Sequence, residues 1–200
     1  MRKATKSVAT WLGVAGGIAG IEHGVFEIMQ GSTKPDGLVI ASIGPPCVPE
    51  QAWNGCEPAM TIIPNFLISG ILSVIIGLVI LIWSIWFVGR KNGGIVLILL
   101  SVALLLFGGG FFPPLIGIIG GAAGTQINKP ITRQPGSVAR FAARLWPWPL
   151  VILMLWLLAM FLLGYISNDF LKSIMGFGMA LILTMLPLSV YCAFAHDAQS

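Results

Sequence analysis

Charge is what this chain lacks. Only 9% of its 200 residues are Asp, Glu, Lys or Arg, against 56% hydrophobic residues and a mean hydropathy of +0.93. A soluble domain carries about 25% charged residues, so this surface is too apolar to meet water all round. Lipid is the solvent that fits. Only helices and closed barrels satisfy their backbone there, and the runs of apolar residues are of helical length. The fold class is therefore all-α, a polytopic transmembrane helix bundle. At about 20 apolar residues per crossing, it has four or five membrane segments and no room for a soluble domain.

Histidine and cysteine are also scarce. Two histidines, His23 and His196, and three cysteines, Cys47, Cys56 and Cys192, are all there is, which excludes paired-histidine haem or di-iron sites of the usual kind. There is no G-x-x-x-x-G-K-[S/T], no H-E-x-x-H and no G-x-S-x-G. ATP-driven pumps and familiar membrane hydrolases are disfavoured, an enzyme is the weaker reading, and no cofactor or metal is named by a motif. The net charge of +4 lies in short clusters beside apolar runs, which orients a chain in a membrane rather than binding nucleic acid.

What is present divides into segments at about 8–29, 61–88, 95–121, 149–166 and 174–194, with an external loop at 30–60 and a basic linker at 124–148, all within one transmembrane domain spanning 1–200. The third segment is interrupted by Gly108-Gly109-Gly110-Phe111-Phe112-Pro113-Pro114, which cannot continue a regular helix. If it crosses fully, six basic residues lie with a cytoplasmic N-terminus (Arg2, Lys3, Lys6, Arg90, Lys91, Lys172) and five lie opposite. If it is re-entrant, Lys129, Arg133, Arg140 and Arg144 join the inner side. That makes nine inside, with only Lys34 and Lys172 outside. The positive-inside rule favours the second arrangement, but the segment is long enough for the first, and both stay open. Residues 167–173 read as a short hairpin connection before the last segment.

The linker carries a short amphipathic pattern. Val138, Phe141, Ala142 and Leu145 share one face, Arg140 and Arg144 the other, and Ser137 is placed to cap the start. Trp146-Pro147-Trp148-Pro149 follows where an aromatic belt is expected. The helix either lies on lipid head groups or packs on its own bundle. Cys47 and Cys56 share the external loop and are spaced for a disulfide in an oxidising compartment, whereas Cys192 reads as a small packing residue.

The first segment holds the chemistry. Gly16, Gly20 and Gly24 repeat every four residues, a pattern that brings helices close. His23 and Glu27 are also four apart and share a face, with Glu22 to one side. Ionisable groups inside a membrane segment cost about 2.5–3.5 kcal/mol each on insertion scales and are functional candidates by default. The alternative is that they sit near the outer interface and only bond neighbouring helices. Imidazole beside carboxylate suits a proton or a cation, though two ligands do not complete a metal site. Asn65 enters at the same depth from the second segment and is the candidate third member, with Ser69 one turn on.

The stretches Gly20 to Gly31, Glu57 to Asn65 and Arg90 to Gly94 resemble small prokaryotic polytopic membrane proteins, with the likeness covering residues 1 to about 120. The resemblance brings no activity with it and implies a prokaryotic cell membrane. The residues themselves support a proton- or cation-linked transport protein or a subunit of one, with Glu22, His23, Glu27 and Asn65 as the site. An accessory subunit docking on a partner chain, or on a second copy, through Gly16, Gly20 and Gly24 is the alternative. A membrane-embedded enzyme acting on a lipid-like substrate comes third.

Overall fold

A computed structural model of the chain describes residues 1–41, 57–131 and 136–199. Cys47 and Cys56 lie outside the described residues, and the expected disulfide with them. The fold is all-α with one small strand pair. Three helices are long and apolar enough to cross a membrane, or four if a bent pair counts as one span, and the protein is a multi-pass membrane protein. Its described residues form two compact units, one of 9–41 and 57–125, the other of 1–8, 126–131 and 136–199.

The first unit is built on glycine. Helix α1 (Lys3–Met29) contributes its residues from Ala9 onward and packs against α2 (Phe66–Ile82). A Cβ on Gly17 would stand 2.9 Å from the Gly77 carbonyl oxygen, and one on Gly24 would stand 2.7 Å from that of Gly70. The two glycine pairs, each seven residues apart, therefore meet in antiparallel register, and Ser73 Oγ ties the seam by donating to the Gly20 carbonyl at 3.0 Å. Ser69, Gly70, Ser73 and Gly77 face inward, while Ile71, Ile75, Leu78 and Ile82 face outward. This small-inside, bulky-outside order is what lipid solvent favours, because close backbone packing replaces the hydrophobic drive between helices.

The four-residue stripe does not form one seam. A Cβ on Gly16 would stand 2.7 Å from the Pro113 carbonyl oxygen and one on Gly20 2.5 Å from the Leu104 side chain, whereas Gly24 faces α2. Four steps of about 100° overshoot a full turn by about 40°, so the stripe winds from one neighbour to the next. A seven-residue step drifts by only about 20°, which is why the Gly17–Gly24 pair stays on α2.

The third segment is broken. A π-helical turn, Trp83–Phe87, ends α2, Trp83 Nε1 donates to the Gly93 carbonyl at 2.9 Å, and Asn92 takes a left-handed conformation, φ 62°. Helix α3 (Gly93–Leu106) then leads to the break and α4 (Phe112–Gly124) returns beside it. Gly94 lies against the backbone of Gly121 and Thr125, and Gly117 against Ser101, an antiparallel hairpin. At 1.5 Å per residue each arm is about 20 Å long, short of the ~30 Å hydrocarbon core. A Cβ on Gly120 would stand 3.2 Å from the Ala9 carbonyl oxygen, so α4 ends beside Ala9 of α1. The segment is therefore a helical hairpin that turns back on itself rather than one continuous helix.

The break is covered by a strand pair absent from the sequence reading. β1 (Val39–Ala41) and β2 (Pro58–Met60) are antiparallel, with Ile40 opposite Ala59. Beyond β2 the chain pairs with the hairpin tip: Thr61 bridges Phe107, Ile62 N donates to Leu106 O at 3.0 Å, and Gly108 N donates to Met60 O at 2.9 Å. Backbone groups freed by the glycines thus find protein partners, as burial requires.

In the second unit α6 (Trp148–Ile166) and α7 (Asn168–Asp197) are joined through Ser167 alone. The expected connection at 167–173 is mostly helix, since Asn168 and Asp169 suit a helix start. Helix α5 (Ser137–Leu145) has Gly136, not Ser137, at its N-cap, with no side-chain cap bond. Ala142 and Ala143 pack with Cys192 and Ala195 of α7, while Val138 and Phe141 remain 71% and 64% exposed. The helix therefore sets Ala142, Ala143 and part of Leu145 on the bundle and turns Val138 and Phe141 away.

The start of α1 belongs to this unit and is capped by α7. Asp197 Oδ1 accepts from Ala4 N at 3.0 Å, and its Oδ2 accepts from Thr5 N at 2.8 Å and Thr5 Oγ1 at 2.6 Å. First-turn N–H groups have no partner within their own helix, and a carboxylate there also suits the helix dipole. Asp197→Ala is expected to cost about 2 kcal/mol, read as a lower thermal midpoint in detergent. An unchanged midpoint would show the latch to be decorative.

Candidate functional site

Glu27 is the anomaly of the first unit. Its side chain is 0% exposed, and both carboxylate oxygens are buried without a hydrogen-bond partner. Ser69 stands beside it, but the Ser69 hydroxyl is 2.7 Å from Thr61 Oγ1 and donates to the Phe107 carbonyl at 3.1 Å. A buried carboxylate is normally paired or richly hydrogen-bonded. This one is neither.

The α3–α4 break closes over it. Gly108 has φ 91° and presents its bare Cα to the Glu27 oxygens, which a Cβ there would strike. Gly110, φ 75°, does the same for the His23 ring, whose Nε2 lies 2.6 Å from where a Cβ would be. Two left-handed glycines are thus needed twice over, for the turn and for the approach of backbone to side chains. The tip of the hairpin, the start of α2 and the last turns of α1 meet around one carboxylate.

His23, one turn before Glu27, is itself buried and pairs with Glu57, Nε2 to Oε2 at 3.3 Å, the glutamate being 50% exposed on its side chain. Glu22 is close enough to Glu57 for their like charges to act on each other. The residues therefore run from water inward, from Glu57 through His23 to the face shared with Glu27. Among the described residues, no three His, Cys, Asp or Glu side chains come together as a metal-holding group.

Of the residues expected from the sequence, Glu22, His23 and Glu27 occupy one region. Asn65 is occupied elsewhere: its Oδ1 accepts from Ile68 N at 3.1 Å as the N-cap of α2, and its Nδ2 donates to Ser32 Oγ at 2.9 Å. Ser69, one turn on, holds the depth assigned to Asn65. Gly16, Gly20 and Gly24 are each filled by neighbours from the same chain. Glu57 is the residue that sequence reasoning missed, because only the pairing of β1 with β2 brings the residue before Pro58 back over α1. Gly108 and Gly110 were visible as a break but not as the wall of a site.

No protein-family model, curated protein or solved structure matches this chain. The functional reading rests on the site itself.

Proposed function

We propose that the protein is a proton- or cation-linked transport protein, or the ion-handling subunit of a transport complex, with Glu27 as the carrier of the ion. One observation carries this reading: a carboxylate without exposure or hydrogen-bond partner is the group that a proton or a cation would complete. For a proton, Glu57 collects it from water, the His23 imidazole accepts it on one ring nitrogen and releases one from the other, and Glu27 holds it beneath the Gly108 turn. Movement of the hairpin tip would expose the carboxylate, as broken helices do around ions in other transporters. The accessory-subunit reading needs a docking face other than the three glycines, and a lipid-like substrate would need an opening at a carboxylate that is fully covered.

We further propose that the chain sits in a cell membrane with its N-terminus in the cytoplasm. Because α4 returns beside α3, with Gly94 against Gly121 and Thr125, Arg90 and Lys91 lie at the end of the hairpin from which the chain continues into the basic linker. This is the distribution the positive-inside rule associates with the cytoplasmic side.

The test is ion flux in liposomes containing the purified chain and a trapped pH-sensitive or Na⁺-sensitive dye. Wild type is expected to dissipate an imposed proton or cation gradient, and Glu27→Gln to reduce the rate to that of protein-free liposomes with folded yield intact. Equal rates for wild type and variant, or no flux of H⁺, Na⁺ or K⁺ above the lipid background, would remove the proposal.

A further inference from the structure

The second unit contains a cavity that the ion site does not use. It has a volume of about 780 Å³ and is lined by Arg2, Lys3, Lys129, Trp146, His196 and Asp197, among others. Three permanent cations face it against one carboxylate, and that carboxylate has both oxygens bonded to the first turn of α1. Arg2 is only partly used: an Nη donates to the Pro130 carbonyl at 3.1 Å, while its Nε is buried with no partner. The cavity therefore has an excess of positive charge and a buried donor with no protein partner, the chemistry that an anion would answer.

Its surroundings indicate which anion. Trp146 directly follows α5, the helix that carries Arg140 and Arg144 and turns Val138 and Phe141 outward. A short helix with basic and bulky apolar residues both exposed lies in the head-group layer of a membrane, and tryptophan prefers that level. Pro130, Ile131 and Pro147 supply an apolar part of the lining, suited to the carbon skeleton of an ester. We propose that this cavity binds a phosphate ester, with Arg2, Lys3 and Lys129 holding its oxygens. The head group of an anionic phospholipid and free phosphate share this chemistry, and the position beside α5 favours the lipid.

The experiment uses the full chain in detergent, with short-chain phosphatidylglycerol and inorganic phosphate as separate probes and short-chain phosphatidylcholine as the neutral control. Binding is read by native mass spectrometry and by the shift in thermal midpoint. Each cation near an anionic head group contributes roughly a factor of five in affinity. Lys3→Gln with Lys129→Gln is therefore expected to weaken phosphatidylglycerol binding about 25-fold, and Lys129→Gln alone about fivefold. Both lysines are exposed, so the variants keep the fold, which their unliganded midpoints check. Binding of phosphatidylglycerol with these losses supports the lipid form of the proposal. Binding of inorganic phosphate alone, with the same losses, supports the free-phosphate form. Binding of neither probe, or equal binding by wild type and the double variant, overturns it.

Discussion

Gly24→Leu is expected to abolish the folded bundle. A Cβ at this position already stands 2.7 Å from the Gly70 carbonyl oxygen and 2.9 Å from Val74 N, and both are backbone atoms of a helix that cannot step aside alone. The added isobutyl group forces α1 and α2 apart along their whole seam and separates Ser73 from the Gly20 carbonyl. Overpacking in cores costs about 1–3 kcal/mol where side chains can adjust, and against backbone the cost lies at or above the top of that range. Size-exclusion chromatography of the detergent-extracted protein gives the readout, with loss of the monodisperse peak as the expected result. Gly176→Leu is the control, since nothing lies within 4 Å of a Cβ there. A normal Gly24→Leu peak would mean that the seam is not what holds the first unit together.

That seam also shows how far the sequence could be read. Close packing by α1 was legible because a helix carrying Gly13, Gly16, Gly17, Gly20 and Gly24 gives up about 1 kcal/mol of propensity at each and must recover it from contacts. Which glycine meets which neighbour was not, because the seven-residue pairing of Gly17 and Gly24 becomes visible only beside Gly70 and Gly77. The broken third segment was likewise plain from Gly108 to Pro114, while its return beside itself depends on Gly94 and Gly117 offering flat surfaces to Gly121 and Ser101. Glu27 and His23 stood out as ionisable groups in an apolar segment. Glu57 did not, since a carboxylate in a polar loop has no reason to attract notice until a strand register carries it inward. Asn65 has a local use that an apolar pattern does not reveal: after Pro64, its side chain caps the start of α2.

Glu27→Met is expected to raise the stability of the protein by about 2 kcal/mol, the order of the penalty for leaving a buried polar group unsatisfied. The thioether has similar length, fills the space beneath Gly108 and asks for no hydrogen bond. Stability gained where function is lost is the mark of a residue kept for its chemistry, so the same variant is expected to show no ion flux. The thermal midpoint in detergent is the measurement. A fall would mean that Glu27 is held by interactions that favour the folded state, and the ion-carrier reading would lose its foundation.

The Asp197 latch joins residues 192 and 193 positions apart, and the consequence concerns order in time. A membrane protein emerges from the ribosome from its N-terminus, so α1 enters the bilayer long before its cap has been translated. Until α7 arrives, the amides of Ala4 and Thr5 have only water or head groups to answer them, and the start of the first helix stays frayed. Completion of the last helix is then the event that closes the first. An assembly intermediate lacking α7 is expected to be recognisable by the exposure of its own N-terminal turn, which is covered once Asp197 is in place.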